Sequence, residues 1–293
     1  MVRTIKLDCA HIDEYINTLI EKPIDDSAYD ELISAEDVDV LKPDGSPLLM
    51  FRHKALPPGV CTKAYPALLK AAKQSNNRGA AAGGWEYRVK NDGTISNTNH
   101  AIPAKSGVIG YFDRTARFPY CRTTEYTAEN VKGWNAALPF IRAVNEVFAR
   151  ACPERYEIQK RIAERTRPEY VIEDTAFTTV TVNRNFRTAV HKDAGDLPEG
   201  FGVMSVIQAG EYAGGYLVFP KYRIAVDMRT RDVLLADVHE FHGNAPIVGT
   251  PGEFNRIACV FYYRTKMIHC KSPVEELELV RNRKQGDPLH GSG

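Results

Sequence analysis

Residues 256–264 read RIACVFYYR, a run of β-branched, aromatic and small residues that lies between two arginines. In an extended chain successive side chains point to opposite faces, so alternation decides which residues lie together. One face is apolar and predicts packing in a core: Ile257, Cys259, Phe261 and Tyr263. The other face is mixed and predicts the wall of a pocket: Arg256, Ala258, Val260, Tyr262 and Arg264.

The same β-strand texture extends back from this run to residue 170. Short segments rich in threonine, valine and phenylalanine alternate with turn signals, including those at 196–198, 213–215 and 249–252. The predicted strands cover residues 175–182, 188–191, 202–208, 216–219, 224–228, 233–238 and 256–264. Many short strands of this kind are typical of a sandwich or barrel. We predict an α+β fold with a double-stranded β-helix (jelly-roll) core flanked by N-terminal helices.

Upstream of the strands, apolar residues at helical spacing predict helices at 12–20, 65–72 and 134–152. We expect residues 1–106 to be a helical and loop region packed on the core, 107–270 the core, and 271–293 a C-terminal tail. The polar, Gly-containing stretch 73–107 predicts a mobile surface loop. The alternative is a basic lid that orders over a polymeric substrate through Arg78, Arg88 and Lys90.

Bulk charge does not indicate a polyanion partner, since 38 lysines and arginines balance 37 acidic residues. Any nucleic-acid surface must therefore be local. The stretch 107–122 interleaves aromatic residues with arginines, including Arg114 and Arg117, and can stack bases and bind phosphates. Ordinary packing with a salt bridge is the alternative for the same stretch.

Neither a membrane span nor the apolar core of a signal peptide is expected from the chain. The six cysteines are scattered without a C-x-x-C pair, which predicts reduced thiols rather than a disulfide framework. We expect an intracellular monomer, in the cytoplasm of a host cell or in a nucleus.

Two histidines and a carboxylate form the candidate metal site. His191 and Asp193 are two residues apart, so on a strand both point to one face. The third ligand comes from the run VHEFHGN at 238–244, where His242 is favoured over His239 because it ends the strand before a glycine. Two histidines and one carboxylate are the ligands of mononuclear non-haem iron(II) oxygenases, which keep open positions for a co-substrate and dioxygen.

Arg256 strengthens this interpretation, because a cation that points into a pocket needs an anion, and a dicarboxylate co-substrate supplies one. Taken singly, the residues have simpler explanations. His191 alone is typical of a surface histidine, and Arg256 alone is typical of a salt bridge to a neighbour such as Glu253. Their order along predicted strands favours the iron site.

These segments resemble the TET/JBP (ten-eleven translocation/J-binding protein) branch of the iron(II)- and 2-oxoglutarate-dependent dioxygenases. The resemblance is carried by TAVHKDAGD at 188–196, DVHEFHGN at 237–244 and RIACVFYYR at 256–264. GYFDR at 110–114 and CRTT at 121–124 add to it. It covers about residues 107–267.

The resemblance implies oxidation of 5-methylcytosine in DNA to 5-hydroxymethylcytosine, and further oxidation in later rounds, with the base flipped out of the helix. His191, Asp193 and His242 would hold iron(II), and Arg256 would bind the distal carboxylate of 2-oxoglutarate. The residues implied at the base are Asp196 at its polar edge, Tyr262 stacked on the ring, Val260 at the methyl group and Arg264.

Arg264 departs from the family pattern, because related enzymes that act on 5-methylcytosine often have a histidine there. Arginine only donates hydrogen bonds, so it suits the O2 atom of the base or a phosphate, and thymine in DNA is the alternative substrate. A hydroxylase of a protein side chain, free nucleotide or small molecule is a second alternative. A non-catalytic β-fold binding module is the third.

Overall fold

The computed structural model of the 293-residue chain describes residues 2–8, 13–76, 78–89, 95–115 and 118–281. Its helices are α1 Asp13–Leu19, α2 Pro58–Ala71, α3 Glu125–Glu129, α4 Val131–Ala151, α5 Pro153–Arg165 and α6 Pro273–Arg281. The three predicted helices are therefore confirmed as α1, α2 and α4. None of the described helices is long and apolar enough to cross a bilayer.

The strands in the first half of the chain are β1 Arg3–Lys6, β2 Glu31–Ile33, β3 Val38–Leu41, β4 Pro47–Arg52, β5 Gln74–Ser75, β6 Trp85–Val89, β7 Ile95–Ala101, β8 Ala104–Phe112 and β9 Arg122–Thr123. Those in the second half are β10 Thr179–Arg184, β11 Gly202–Ala209, β12 Ala213–Gly214, β13 Leu217–Phe219, β14 Ile224–Val226, β15 Val233–Ala236, β16 Gly243–Asn244, β17 Ile247–Val248 and β18 Asn255–Tyr262.

Two sheets build the core. In the described part of the chain, the larger has the order β1-β3-β4-β15-β11-β18-β10-β8-β5, with β9 paired to β8. The smaller has the order β16-β13-β14-β2. Apolar residues of both sheets share one buried cluster, in which Leu217 and Phe219 meet Met204 and Leu234. The pair of facing sheets is the predicted double-stranded β-helix.

Helices cover the other face of the large sheet. The α4 helix buries Phe140, Ile141, Val144 and Phe148, whose spacing of one, three and four residues makes a single stripe. This stripe shares a buried cluster with residues of α2 and the sheet, and the Phe140 and Phe261 ring centroids are 5.6 Å apart. The domain thus has three layers: helices, large sheet and small sheet.

Strand β18 lies at the centre of the large sheet, between β10 and β11. Val260 is opposite Thr181 on β10 and Met204 on β11. Ile257, Cys259 and Phe261 are fully buried in the cluster shared with the helices. The alternation predicted for 256–262 is confirmed, whereas Arg264 lies beyond the strand, in an isolated bridge with Asp196.

Two expectations about local structure are wrong. Residues 73–107 are not a structureless loop in their described part, which contains β5, a 3-10 turn at Gly79–Ala82, the β6–β7 hairpin and the start of β8. The predicted strand at 188–191 is reduced to single bridges. Residues 73–107 pair within their own stretch, as β5 with β8 and β6 with β7, whereas the bridges at 190 and 191 are made with distant segments. Local composition shows neither.

Residues 1–106 also contribute to the large sheet, because β4 pairs with β15 and brings β3 and β1 with it. The division at residue 106 stays a prediction. Within the expected tail, α6 is regular structure, and residues 282–293 lie outside the described part.

The prediction of reduced thiols is wrong for one pair, because Cys121 and Cys270 form a disulfide with Cα atoms 5.7 Å apart. They are 149 residues apart in sequence, so no spacing pattern could reveal that they meet. Among the described cysteines, Cys61, Cys152 and Cys259 are free and buried.

Candidate metal centre and active-site cavity

His191 and His242 face each other across the end of the sandwich. Each backbone N–H donates to the other residue's carbonyl oxygen at 2.9 Å, and the ring centroids are 4.5 Å apart. A Cβ atom at Gly243 would lie 3.1 Å from the Val190 nitrogen, so glycine permits this close approach. The backbone N–H of Asp193 donates to Val238 at 3.0 Å, which places its carboxylate beside the histidines.

One candidate ligand atom from each of His191, Asp193 and His242 lies within 4.8 Å of the others. The Nδ1 atoms of His191 and His242 lie 2.8 and 3.0 Å from the carbonyl oxygens of Ala189 and Glu240. A carbonyl only accepts, so each Nδ1 donates, and in the neutral imidazole each Nε2 then has a lone pair for a metal.

The protonation states of His242 and Asp193 suit a cation. Burial would lower the pKa of His191, but the Asp193 carboxylate, 3.4 Å from its Nε2, outweighs this and raises it, so a metal ion at this position would replace the Nε2 proton. Burial and the neighbouring His191 lower the pKa of His242 to about 4. Burial alone would raise the pKa of Asp193, but the hydrogen bond with His191 and both imidazoles outweigh it and lower the pKa. A neutral imidazole and an ionised carboxylate are the forms that bind metals. His239 lies outside the cluster, with its Nδ1 3.4 Å from Asp237.

All eight predicted site residues line one cavity of about 560 Å³. Besides the three candidate metal ligands, it is bordered by Arg256, Asp196, Val260, Tyr262 and Arg264. Its size is in the usual range for small-molecule sites.

Arg256 is the most deeply buried cation of this cavity, with 2% of its surface exposed. Within the described residues its Nε has no hydrogen-bond partner, and neither has the buried hydroxyl of Tyr212. Glu253, the alternative salt-bridge partner, is exposed and makes no ion pair with it. A buried cation without a counter-charge is costly, so this corner of the cavity fits an anionic ligand.

The residues predicted at the base, Asp196, Val260, Tyr262 and Arg264, all border this cavity. The Tyr262 hydroxyl is 3.1 Å from Thr181 Oγ1. Burial, together with the nearby Asp193 carboxylate, raises the pKa of Asp196 well above its ordinary value. Arg264 is already paired, because its Nε donates to Asp113 Oδ1 at 2.7 Å and its guanidinium lies 4.0 Å from the centroid of Phe112.

The basic residues predicted to contact DNA from the surface are differently placed. Arg78 is largely buried in the cavity wall, where its Nε has no hydrogen-bond partner among the described residues. Arg114 pairs with the buried Glu276 at 2.6 Å, so its charge is compensated. Arg117 and Lys90 lie outside the described residues, and the side chain of Arg88 is not among those described.

Comparison with known proteins supplies the family. Residues 107–265 match the family model Tet_JBP, described as the oxygenase domain of the 2OGFeDO superfamily. The chain belongs to the Tet_JBP family. The superfamily uses iron(II), 2-oxoglutarate and dioxygen, and the His191–Asp193–His242 cluster fits that cofactor set.

Relatives of this Tet_JBP domain include thymine dioxygenase JBP1 from Trypanosoma brucei brucei, 34% identical over 219 residues, which are 73% of this chain and 24% of that protein. Another is the bifunctional helicase and thymine dioxygenase JBP2 from Leishmania infantum, 36% identical over 183 residues, 62% of this chain and 16% of that one. The chain thus spans a quarter or less of these two proteins.

Among solved structures, NgTET1 in complex with 5mC DNA superposes with a TM-score of 0.59 at 15% identity. The match covers 87% of this chain and 89% of NgTET1. At this identity the likeness shows the fold, and it agrees with the two facing sheets described above.

Proposed function

We propose that this Tet_JBP domain oxidises the 5-methyl group of a pyrimidine in DNA, with the target base flipped into the cavity. One observation carries the proposal: a single cavity joins the His191–Asp193–His242 cluster to the ring of Tyr262 and to Arg256, whose Nε has no hydrogen-bond partner among the described residues. Metal, dicarboxylate and aromatic base would thus each meet a group of matching chemistry.

His191, Asp193 and His242 would hold the metal, and Arg256 would bind the distal carboxylate of 2-oxoglutarate. When bound, iron(II) with 2-oxoglutarate and dioxygen supplies the oxidation of a methyl C–H bond, which no amino-acid side chain can carry out by itself. The side chains of Val260 and Ala258 border the cavity between Arg256 and Tyr262. They exclude water from the space where a methyl group would lie.

The base is positioned by Tyr262 and Asp196. The Thr181 hydroxyl restrains the Tyr262 ring, on which a base can stack. Asp196 faces the same cavity, and its raised pKa favours the protonated carboxyl, which both donates and accepts a hydrogen bond. That pattern complements the donor and acceptor on the polar edge of a pyrimidine.

We place thymine first as the target base, because the two relatives that are 34% and 36% identical to this chain over the aligned residues are named thymine dioxygenases. 5-Methylcytosine, the base predicted from sequence, is the second candidate. The protonated Asp196 carboxyl suits this base too, because it can donate to the ring N3 and accept from the exocyclic amine. The intracellular location and monomeric state stay predictions.

Nucleoside mass spectrometry tests the proposal and the choice of base. Purified protein with iron(II), 2-oxoglutarate and ascorbate is incubated with two duplexes, one with thymine as the only 5-methylpyrimidine and one with added 5-methylcytosine. Asp193→Ala is the control. We expect 5-hydroxymethyluracil from the wild type alone. 5-Hydroxymethylcytosine instead would reverse the order of bases, and succinate formation without any modified base would exclude DNA as the substrate.

A further inference from the structure

The cavity is lined by more arginines than the proposed binding of metal, 2-oxoglutarate and base requires. Among the described residues, the arginines that line it are Arg78, Arg122, Arg256 and Arg264. Arg256 faces the corner assigned to 2-oxoglutarate, Arg78 interacts electrostatically with Tyr262 and Asp193, and Arg264 is paired with Asp113. Arg122 has no such assignment.

Arg122 and Arg264 share a single carboxylate. Both guanidiniums lie against the Phe112 ring, at 5.1 and 4.0 Å from its centroid. The Asp113 carboxylate accepts from Arg264, whereas Arg122 reaches only the backbone carbonyl of Asp113, at 3.1 Å. No other carboxylate of the described chain forms an ion pair with Arg122. Arg122, Arg264 and Asp113 together therefore present one uncompensated positive charge to the cavity.

Arg122 is also held in place before any ligand arrives. Its backbone pairs with Phe112 in the β8–β9 ladder, and its guanidinium lies 4.3 Å from the centroid of a second ring, Phe118. The preceding residue, Cys121, is tied by the disulfide to Cys270, and its N–H donates to the buried Glu276 at 2.9 Å. A cation ordered in this way loses little entropy when it binds an anion.

Position along the cavity identifies the anion. Of the four arginines, Arg256 is the most buried and Arg122 the least, so Arg122 lies towards solvent while Arg256 lies at depth. A base that enters the cavity from DNA leaves its phosphates at the mouth, and each backbone phosphate carries one negative charge. One phosphate would therefore balance the single uncompensated positive charge of Arg122, Arg264 and Asp113.

We infer that Arg122 binds a backbone phosphate next to the flipped nucleotide and thereby sets how far the base enters the cavity. The inference rests on the proposed function, since it assumes a DNA substrate. Arg122 is a substrate-positioning residue in this account, and the Phe112 and Phe118 rings orient it.

The test is the salt dependence of DNA binding by Arg122→Gln, measured by fluorescence anisotropy without oxygen so that no turnover occurs. Each phosphate contact contributes about 0.9 to the slope of log K against log salt, so between 50 and 200 mM salt the wild type should lose about 3.5-fold more affinity than the variant. Arg150→Gln, which removes an exposed charge from α4, is the matched control and should keep the wild-type slope.

A scan with uncharged methylphosphonate linkages identifies the phosphate. In the wild type, replacing one linkage beside the target base should weaken binding as much as Arg122→Gln does, and the variant should show no further loss there. Equal losses in both proteins at every linkage would overturn the inference, as would an unchanged salt slope.

Two further measurements distinguish an error in this inference from two other causes of a negative result: a folding defect in the variant, and a substrate other than DNA. Arg122→Lys keeps the charge and should keep the slope, while 2-oxoglutarate affinity should be unchanged in both variants. Loss of slope in both variants would show that Arg122 acts only through the local structure. If the wild type oxidises no base in DNA, the proposed function fails, and the methylphosphonate scan still decides whether Arg122 contacts a phosphate.

Discussion

Replacing Arg256 with methionine separates a role in co-substrate binding from a role in folding. Methionine keeps much of the side-chain volume in the buried β18 position but removes the charge and every hydrogen-bond donor. Without co-substrate, Arg256 is a buried cation whose Nε has no partner in the described chain. The free energy of unfolding of the ligand-free protein should therefore stay the same or rise.

In contrast to the stability of the ligand-free protein, the affinity for 2-oxoglutarate should fall strongly in Arg256→Met. Leaving a carboxylate unpaired in a buried site costs about 3–5 kcal/mol, which corresponds to a Kd for 2-oxoglutarate roughly 150- to 4,000-fold higher. In the wild type, 2-oxoglutarate at about 100 times Kd should stabilise the fold by about 2.7 kcal/mol, and this gain should vanish in Arg256→Met at the same concentration.

Isothermal titration with manganese(II) in place of iron measures the affinity without turnover, and urea unfolding with and without 2-oxoglutarate measures the stability. Arg142→Met, at an exposed ion pair of α4, is the control and should change neither quantity strongly. Unchanged 2-oxoglutarate affinity in Arg256→Met would remove Arg256 from the co-substrate site. A ligand-free protein destabilised by several kcal/mol would show that the arginine serves packing.

Three other predictions address the metal, the base and the C-terminal helix. His242→Ala should abolish metal loading in inductively coupled plasma analysis while His239→Ala keeps it, because only His242 lies in the cluster; the reverse outcome would exchange the ligands. Tyr262→Ala should weaken DNA binding about 5- to 150-fold, since base stacking is worth about 1–3 kcal/mol, while uncoupled succinate formation continues; loss of both would indicate a structural role. Burial alone would raise the pKa of Glu276, but the bonds from Arg114 and from the Lys271 and Cys121 N–H groups outweigh it and lower the pKa. Its contribution to stability, about 1.5–3 kcal/mol for hydrogen bonds to a charged group, should therefore be full above the ordinary glutamate pKa and disappear as pH falls through the lowered one. Urea unfolding of wild type and Glu276→Gln should differ most at neutral pH, and a difference that persists in acid would contradict this origin.

The parts of the fold that were predictable depend on strict local periodicity. The alternation of 256–262 follows from the two-residue repeat of a buried strand, and the α4 stripe follows from the helical repeat. The choice of His242 over His239 rests on its place before Gly243, and the structure places His242 in the cluster with His191 and Asp193. In each case a few neighbouring residues carry the whole signal.

What could not be predicted depends on contacts between distant segments. β2 pairs in parallel with β14, almost 200 residues later, and Cys121 meets Cys270. Arg78 looks like a surface cation in a polar stretch, yet tertiary packing puts it in the cavity wall. Neither period nor composition encodes these placements, because loop closure brings the partners together only in the folded chain.

Oxygen-18 labelling tests the central claim most directly. The wild type is given iron(II), 2-oxoglutarate, DNA and labelled dioxygen, and both succinate and the digested nucleosides are analysed by mass spectrometry beside Asp193→Ala. The account predicts label in succinate and in the hydroxymethyl group of a pyrimidine nucleoside, with neither product in the variant. Labelled succinate with all nucleosides unmodified would contradict a DNA substrate, and equal products from Asp193→Ala would contradict the metal centre.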